Sequence, residues 1–504
     1  MIENVPALLI VLPILVATLP LLVGLRYERV GWTVAALTTT AAFAMALWLA
    51  LVIFTTGEAV IHQLGGFPRP IGIELVADRL SAPFVVLATG ISMGVLAYTR
   101  RGGPRGNSFY SAYLLLLGGL LGLSLTGDVF NMFVFLEITG LTTYALIAKG
   151  KSGESAIAAL KYLIIGTVGA SMYLIGVGFL FVATGTLNMI DLATAIPQQA
   201  GYGNPLILTA FAFVFVGFAI KIALFPLHTW QPDAYQRAPD GATPLIAALV
   251  STVSAYALFR LVYTVFTVEF LVSIPHASEI VVTVGSISVL AGSALAVMQR
   301  RVKRMLAYSS VSQFGLVVLA YGLMNDTALL GALVHLIGHA IMKGGLFLAV
   351  GTIAAGTGAR TVKEYAGLAK RMPFMAGSLA VLGLALVGVP PSIGFLGKWF
   401  IAVGAIEAGI WPVAVVVLLS TMLTLGYIAR LLERMYFTPA PTRGGAPEGS
   451  LATDGSGNDP TPGAVSAGML GVTVLAALLA VALGFSGGAF DSLLGPFIEV
   501  ILNG

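Results

Sequence analysis

Residues 332–351, ALVHLIGHAIMKGGLFLAVG, are apolar enough to lie in a bilayer but carry His335, His339 and Lys343 at intervals of four. Residues four apart on an α-helix share one face, with about 5–6 Å between their Cβ atoms. An ionisable side chain at membrane depth costs at least about 2.5–3.5 kcal/mol and usually marks a pathway, a relay or a counter-ion. We therefore predict that this stripe carries protons. The alternative is that two neutral histidines and a lysine only hydrogen-bond to neighbouring helices.

The composition is that of an integral membrane protein. The 504 residues are 58% hydrophobic and 10% charged, whereas soluble domains carry about 25% charged residues. The chain has no cysteine, which excludes disulfides, thiolate-bound iron–sulfur clusters and cysteine-containing zinc sites. The net charge of +4 gives no reason to expect nucleic acid. No metal, flavin or quinone site can be read from the sequence, so we expect no cofactor.

Fourteen apolar stretches of helix length define the predicted fold, an all-α polytopic membrane protein. The first stretch follows MIEN rather than a basic segment, so we expect it to be retained as a helix. Residues 439–465 are rich in Pro, Gly, Ser, Thr and Asp, which predicts a flexible linker. The predicted spans are 5–25, 30–54, 80–99, 109–127, 129–148, 155–184, 205–225, 244–267, 278–299, 304–324, 327–355, 373–405, 410–436 and 466–486.

Basic residues follow the odd-numbered spans, while the loops after even-numbered spans are mixed or acidic, as with Glu74, Asp78 and Glu407. By the positive-inside rule we expect a plasma-membrane protein with the odd-span exits and the 439–465 linker in the cytoplasm and both termini outside. The basic residues at the odd-span exits are Arg26, Arg29, Arg100, Arg101, Arg105, Lys149, Lys151, Arg237, Arg300, Arg301, Lys303, Arg304, Arg360, Lys363, Lys370, Arg371, Arg430 and Arg434.

Two spans contain proline breaks. Proline lacks an N–H and its ring clashes with the carbonyl four residues back, so Pro226 should free the carbonyl of Ile222. Broken backbone is tolerated at membrane depth only inside protein or beside a wet cavity, and transporters place such breaks at ion sites. The predicted breaks are Pro226 and Pro232, near Lys221 in the seventh span, and Pro390 and Pro391, near Lys398 in the twelfth.

The sequence also contains a faint internal repeat. Residues 159–178 align without gaps on residues 332–351 with six identities, and these stretches lie in the sixth and eleventh spans. An offset of five helices reverses the direction of entry into the membrane, so we predict inverted repeats of helices 4–8 and 9–13. The expected divisions are helices 1–3 in 1–108, the first repeat in 109–267, the second in 278–438, the linker in 439–465 and helix 14 in 466–504.

Glu137, near the middle of the fifth span, and Lys221, at similar depth in the seventh, are the expected partners in the first half of the molecule. Contact with a carboxylate favours the protonated lysine and separation favours proton release, so the pair can act as a switch. Lys398 is expected nearer the outer surface. The alternative for these charges is a static ion pair that fixes helix packing.

Four further residues are accessory candidates: Lys161, His228, Thr252 and Arg260. Lys161, at the start of the sixth span, either extends to the membrane surface or takes part in proton uptake. The same two alternatives apply to Arg260, late in the eighth span. His228, in the unwound FPLHTWQPDAY segment, is expected to cap or hydrogen-bond the backbone. No third metal ligand lies at suitable spacing beside His228 and Asp233.

At these residues the sequence resembles the proton-conducting antiporter-like family. The family comprises the D-type subunits of Mrp-type multisubunit cation/proton antiporters and the related pumping subunits of complex I and membrane-bound hydrogenases. The resemblance implies inverted five-helix repeats, a central hydrophilic axis and assembly with sister membrane subunits. It rests on Glu137, on Lys221 with FPLHTWQPDAYQRAP, on QRRVKRMLAYSSVSQFG at 299–315, on HLIGHAIMKGGLFL in the eleventh span and on GVPPSIGFLGK in the twelfth.

The eighth span departs from the family pattern. Members commonly have a lysine there, in a pattern like TKVGVYALIR, whereas this chain has STVSAYALFR with Thr252 at the lysine position. Thr252, with Ser251 and Ser254, can hold water but cannot take a charge. The departure bears on whether this chain has the family's usual relay.

We expect a proton-moving subunit of a secondary transporter rather than an enzyme, with sodium as the exchanged ion. One alternative is a pumping subunit of a redox-driven, complex I-like or hydrogenase assembly, in which electron transfer would belong to partner subunits. The other is a non-conducting scaffold with static buried charges.

Overall fold

The computed structural model describes residues 2–27, 30–104, 106–150, 152–440 and 465–503. All fourteen predicted spans form helices within these ranges. Three of the basic residues named above, Arg29, Arg105 and Lys151, and residues 441–464 of the predicted linker lie outside the described residues. The helices are α1 (Ile2–Gly24), α2 (Gly31–Thr56), α3 (Ser81–Gly102), α4 (Asn107–Leu125), α5 (Val129–Ala148), α6 (Gly153–Thr184), α7 (Pro205–Ile222), α8 (Thr243–Ser273), α9 (Ala277–Val297), α10 (Val302–Tyr321), α11 (Asp326–Thr357), α12 (Pro373–Val387 and Ile393–Glu407), α13 (Trp411–Tyr436) and α14 (Ala467–Phe485).

Twelve of the described helices are long and apolar enough to cross a membrane. The other two predicted spans, α10 and α12, differ for physical reasons. α10 has 20 residues, but it begins with Lys303 and Arg304 and carries several polar side chains; almost all of it is buried by other helices, so it needs no apolar exterior. α12 is divided into two halves of 15 residues each.

Two elements were not predicted. An antiparallel hairpin of β1 (Val60–Gln63) and β2 (Glu74–Ala77) lies between α2 and α3, so the fold is nearly rather than entirely helical. A further helix, α15 (Gly487–Asn503), follows α14, where a single C-terminal helix was expected. Leu494 and Ile498 of α15 are buried, and its Phe497 ring lies 5.7 Å from the Arg260 guanidinium.

Loops after even-numbered helices meet at one end of the bundle, which we call the hairpin end. There, the Glu74 carbonyl accepts a hydrogen bond from the Gly127 amide at 2.9 Å, and its carboxylate accepts one from Asn188 Nδ2 at 3.2 Å. Loops after odd-numbered helices meet at the opposite end, which we call the basic end. There, Arg237 pairs with Glu154, and the Gly367 amide donates to the Arg434 carbonyl at 3.2 Å. The alternation predicted from charge is therefore the alternation of the fold.

Isolated β-bridges occur at matching positions in the two predicted repeats, 109–267 and 278–438, which we call the first and second halves. Asp128, just before α5, bridges Asn188, which follows α6, and Arg301, just before α10, bridges Thr361, which follows α11. The same number of residues separates Asp128 from Arg301, Asn188 from Thr361 and the two aligned stretches at 159–178 and 332–351. Backbone pairing thus supports the internal repeat that the sequence alignment indicated weakly.

The α7 break lies just before Pro226 and the α12 break contains Pro390 and Pro391, and in α7 side chains bond to the carbonyls that precede Ile222. The helix ends at Ile222, and Ala223 takes the left-handed conformation with a φ of 65°. Trp230 Nε1 donates to the Ile220 carbonyl at 2.8 Å and Ser251 Oγ to the Lys221 carbonyl at 3.4 Å, rather than to Ile222. A short helix, Gln231–Arg237, which contains Pro232 at its second position, then continues toward the basic end.

The α12 break spans Gly388 to Ser392 and includes Pro390 and Pro391. Gly388 has a φ of 95°, which only glycine adopts without strain. Ser392 Oγ accepts a hydrogen bond from the Phe395 amide at 3.2 Å and so caps the second half of the helix.

Two aspartates bind the two halves together at the basic end. Asp233 accepts hydrogen bonds from Lys161 at 2.7 Å and from Arg304 at 2.8 Å. Asp240 lies 3.0 Å from Lys303 and 3.3 Å from Arg360. Burial raises the pKa of the Asp240 carboxyl, but the charges of Lys303 and Arg360 lower it more, so that its net pKa lies below the ordinary value.

Replacing Asp240 by asparagine should destabilise this junction. The substitution removes the carboxylate that lies 3.0 Å from Lys303, whose side chain is 9% exposed, and removing one partner of a buried pair costs about 3–5 kcal/mol. We expect a lower melting temperature of the detergent-purified protein. Glu433→Gln is the control, because Glu433 is 56% exposed and lies 3.7 Å from Arg434. Equal melting temperatures for the two variants would contradict a stabilising role of Asp240 at this junction.

Candidate functional site

Glu137 on α5 and Lys221 on α7 approach each other in the middle of the first half. Their Oε1 and Nζ atoms are 3.7 Å apart, and the side chains are 25% and 5% exposed, respectively. Neither atom makes a hydrogen bond to any residue that the structure describes. The two groups are thus close enough to attract but are not locked by a direct hydrogen bond.

Tyr144 belongs to the same cluster and was not predicted. A Cβ atom added to Gly140 would lie 3.3 Å from Lys221 Nζ and 3.0 Å from the Tyr144 hydroxyl, so Gly140 leaves room for both groups. The hydroxyl is buried and has no hydrogen-bond partner among the described residues. No pattern in the sequence marks this tyrosine, because a tyrosine in an apolar span is an ordinary core residue.

Polar groups of α8 and of the α7 break continue from this cluster. Gln231 Nε2 lies 3.3 Å from Ser251 Oγ and 3.1 Å from the Tyr235 hydroxyl, while Ser251 in turn reaches the Lys221 carbonyl. Gln231 and Thr252 are fully buried. Within the described chain, Gln231 Oε1 and Thr252 Oγ1 have no hydrogen-bond partner.

The predicted stripe on α11 lies against α10. His335 Nε2 is 2.9 Å from Gln313 Oε1, and the His339 ring contacts Phe314 with centroids 4.6 Å apart. Lys343 Nζ donates to the Leu306 carbonyl at 2.7 Å and to Ser309 Oγ. The three side chains of the stripe are fully buried. The partner residues on α10 were not predicted, because hydropathy marks a polar helix without showing what it faces.

Lys398 lies beside this stripe. Its Nζ donates to the carbonyls of Leu386 and Val387 at 3.1 and 3.0 Å, at the C-terminus of the first half of α12. A cation is favoured there by the helix dipole. A Cβ atom added to the neighbouring Gly397 would lie 2.6 Å from His335 Cβ, so α11 and α12 are in direct backbone contact at this level.

Two of the accessory candidates, Lys161 and Arg260, lie at the ends of the molecule, away from the Glu137–Lys221 pair and the α11 stripe. Lys161 pairs with Asp233 at the basic end, as described above. Arg260 makes a two-pronged contact with Asp78 at 2.6 and 2.9 Å, at the hairpin end. His228 lies in the α7 break between Phe225 and Tyr308, and its Nδ1 is buried without a partner in the described part of the chain.

Nineteen buried side-chain N and O atoms have no partner among the described residues, and ten of them follow one series of helices, from α5 and α7 with the short helix after it, through α8, to α10 and α11. The other nine are spread over the rest of the bundle and its loops. Such atoms are uncommon in proteins and are normally bonded to water. Among the described residues no group of three or more His, Asp or Glu side chains could hold a metal ion. The ten atoms of the series are Glu137 Oε1, Thr139 Oγ1, Tyr144 Oη, Lys221 Nζ, Gln231 Oε1, Thr252 Oγ1, Gln313 Nε2, His335 Nδ1, and Nδ1 and Nε2 of His339.

A helical bundle with two broken helices and an internal row of ionisable groups defines a polytopic membrane protein of the ion-translocating class. The chain belongs to the NADH:quinone oxidoreductase/Mrp antiporter transmembrane family, whose model matches residues 126–424.

Relatives come from both branches of that family. The chain is 41% identical over 459 residues to the N subunit of an NADH-quinone oxidoreductase from Desulforudis audaxviator, covering 89% of each chain. It is 32% identical over 402 residues to the D subunit of an Na(+)/H(+) antiporter from Bacillus subtilis, covering 78% of this chain and 80% of the relative.

Similar solved structures likewise include both a respiratory complex and an Mrp complex. A chain of the archaeal membrane-bound sulfane sulfur reductase superimposes with a TM-score of 0.87 at 32% identity, covering 99% of this chain and 98% of the other. A chain of the Mrp complex from Dietzia sp. has the same TM-score at 26% identity, with 99% of each chain covered. The fold and the family predicted from sequence are confirmed.

Replacing Gly397 by alanine should push α12 away from α11. The new Cβ would lie 2.6–2.9 Å from the His335 Cβ, Cα and amide nitrogen, and backbone cannot yield as a flexible side chain does. Overpacking of this kind typically costs about 1–3 kcal/mol, so we expect a lower melting temperature of the purified protein.

Gly377→Ala is the matched control, because a Cβ at this α12 position meets nothing within 4 Å. A Gly397→Ala protein that folds and has the wild-type melting temperature would contradict the close contact between α11 and α12.

Proposed function

We propose that this chain moves protons across the membrane as one subunit of a multisubunit cation/proton antiporter, with Na⁺ as the exchanged cation. The observation that carries the proposal is the Glu137–Lys221 pair, which lies 3.7 Å apart with neither atom hydrogen-bonded to a described residue. Membership in a family of proton-translocating membrane subunits supports it.

The pair works as a switch because its attraction holds the proton on Lys221. Two unit charges about 4 Å apart interact by about 4 kcal/mol at an effective dielectric constant of about 20. Moving one charge through 100 mV involves about 2.3 kcal/mol. Drawing Glu137 away, or neutralising it with a cation, therefore releases a proton at an energy that a membrane gradient can supply.

The released proton passes to the second half through His339, His335 and Lys398. His335 Nδ1 and both nitrogens of His339 have no partner among the described residues, so the imidazoles can accept a proton on one side and donate on the other. Lys398 receives it beside His335, and Lys343 offers a branch toward the basic end. Lys161 with Asp233, and His228, are accessory groups on the approach from the basic end.

The basic end faces the cytoplasm in this proposal, because cytoplasmic loops carry the excess of Lys and Arg. The hairpin end and both termini are then outside, and the chain resides in the plasma membrane. Sister membrane subunits complete the assembly, as the Mrp complex and the sulfane sulfur reductase are multisubunit assemblies.

The second candidate is a pumping subunit of a redox-driven complex. The 41% identity to an NADH-quinone oxidoreductase subunit favours it. Purification of the native complex separates the two: small membrane companions and Na⁺-dependent flux support the antiporter, whereas cluster-containing partners and electron transfer coupled to proton flux support the redox complex.

Replacing Glu137 by glutamine or Lys221 by alanine should lower proton flux at least tenfold in vesicles containing the assembled complex. The first removes the charge that holds the proton and the second removes the carrier. Glu279→Gln is the matched control, because Glu279 is 71% exposed and pairs with His276.

Undiminished flux in both variants, with intact assembly, would contradict proton translocation by this pair. That result would instead support a scaffold with static buried charges.

A further inference from the structure

Thr252 lies at the junction of the two halves and has an unusual hydroxyl. Serine and threonine hydroxyls inside helices normally donate to a backbone carbonyl one turn earlier, as Ser254 does to Val250 at 2.8 Å and Thr89 does to Val85 at 2.8 Å. Thr252 is fully buried, yet its Oγ1 makes no hydrogen bond to a residue in the described ranges. Its hydroxyl is therefore free to serve another group.

The helix geometry directs Thr252 toward α11. A Cβ atom on Gly344 would lie 3.5 Å from Ala248 Cβ, so the face of α8 that carries Ala248 meets α11. Thr252 follows Ala248 by four residues and shares that face. Because α8 and α11 run in opposite directions, the level one turn nearer the hairpin end on α11 is that of His339 and Ala340.

Ser251, the residue before Thr252, faces the α7 break beside Lys221. Ser251 Oγ donates to the Lys221 carbonyl and lies 3.3 Å from Gln231 Nε2. Successive residues on a helix differ by about 100° in direction, so α8 presents Ser251 to the α7 break and Thr252 to α11. A π-helical turn, Ile246–Val250, lies directly before both residues, and such turns often occur at functional sites.

We propose that the Thr252 hydroxyl, a neutral group, connects the Lys221 half of the axis to His339. The inference rests on the proposed function. A water molecule takes the proton from the Lys221 ammonium; the hydroxyl accepts one hydrogen bond from this water and donates its own proton onward toward His339. The imidazole gains one proton as the ammonium loses one, and Thr252 ends with the proton it received, so no net charge remains at the junction.

Neutrality has a functional consequence. A charged junction would hold a proton between the halves and would repel the protonated forms of Lys221 and His339, whereas a hydroxyl only passes the proton on. Neither of the two nitrogens of His339 has a partner in the described structure, so both accepting and donating orientations are open.

The test is proton flux in vesicles containing the assembled complex, with Thr252→Val, Thr252→Ser and Thr89→Val. Valine keeps the shape and removes the hydroxyl, so we expect at least a tenfold loss of flux with Thr252→Val. Thr252→Ser should keep most of the flux because it restores the hydroxyl. Thr89→Val removes a buried hydroxyl that donates to the Val85 and Val86 carbonyls of its own helix, and it should keep wild-type flux.

Two results would overturn the proposal while leaving the proposed function intact: wild-type flux in Thr252→Val, or equal losses in Thr252→Val and Thr252→Ser, provided that Glu137→Gln still loses flux. Wild-type flux in Glu137→Gln and Lys221→Ala would instead overturn the proposed function. Assembly is checked for every variant by size-exclusion chromatography, so that a folding defect is not scored as a relay defect.

Discussion

A polar group inside the hydrocarbon layer has no bulk water to bond to, so it must find a partner within the protein or line a wet cavity. The backbone of this chain satisfies that constraint at both breaks. Trp230 donates a hydrogen bond to the Ile220 carbonyl and Ser251 donates one to the Lys221 carbonyl. Lys398 donates to the last two carbonyls of the first half of α12. The breaks can therefore lie inside the bundle without exposing bare backbone.

The side-chain charges divide into two groups under the same constraint. Those at the ends are tied directly to counter-charges, as with Asp233, Asp240 and the Arg260–Asp78 pair. Between the ends, Glu137 and Lys221 are 3.7 Å apart, and His339 has no described hydrogen-bond partner. Lys343 and Lys398 bond there to backbone carbonyls and not to counter-charges. A counter-charge in direct contact favours the charged form of its partner, which is why the proposed proton transfer begins at the more loosely held Glu137–Lys221 pair.

Much of this arrangement could be predicted from sequence, since it depends on local signals. The length of the apolar stretches predicted the helices, and the prolines predicted the breaks. The four-residue spacing of His335, His339 and Lys343 predicted that they share one face of a helix. The hairpin escaped prediction because each of its strands has only four residues. α15 escaped because Gly487, Gly488, Asp491 and Pro496 interrupt its apolar pattern. Tyr144 and Gln313 escaped because only the folded bundle shows what an uncharged side chain faces. Asp240 escaped because its partners, Lys303 and Arg360, lie far away in the chain.

We propose that water joins the unpartnered groups into one continuous path across the middle of the bundle. The most direct measurement is a cryo-EM map of the assembled complex in lipid nanodiscs, at a resolution that shows ordered water. We predict water density linking Lys221, Thr252 and His339, and again linking His335 to Lys398. Tightly packed apolar side chains filling the space between Lys221 and His339, with no water density, would contradict the account.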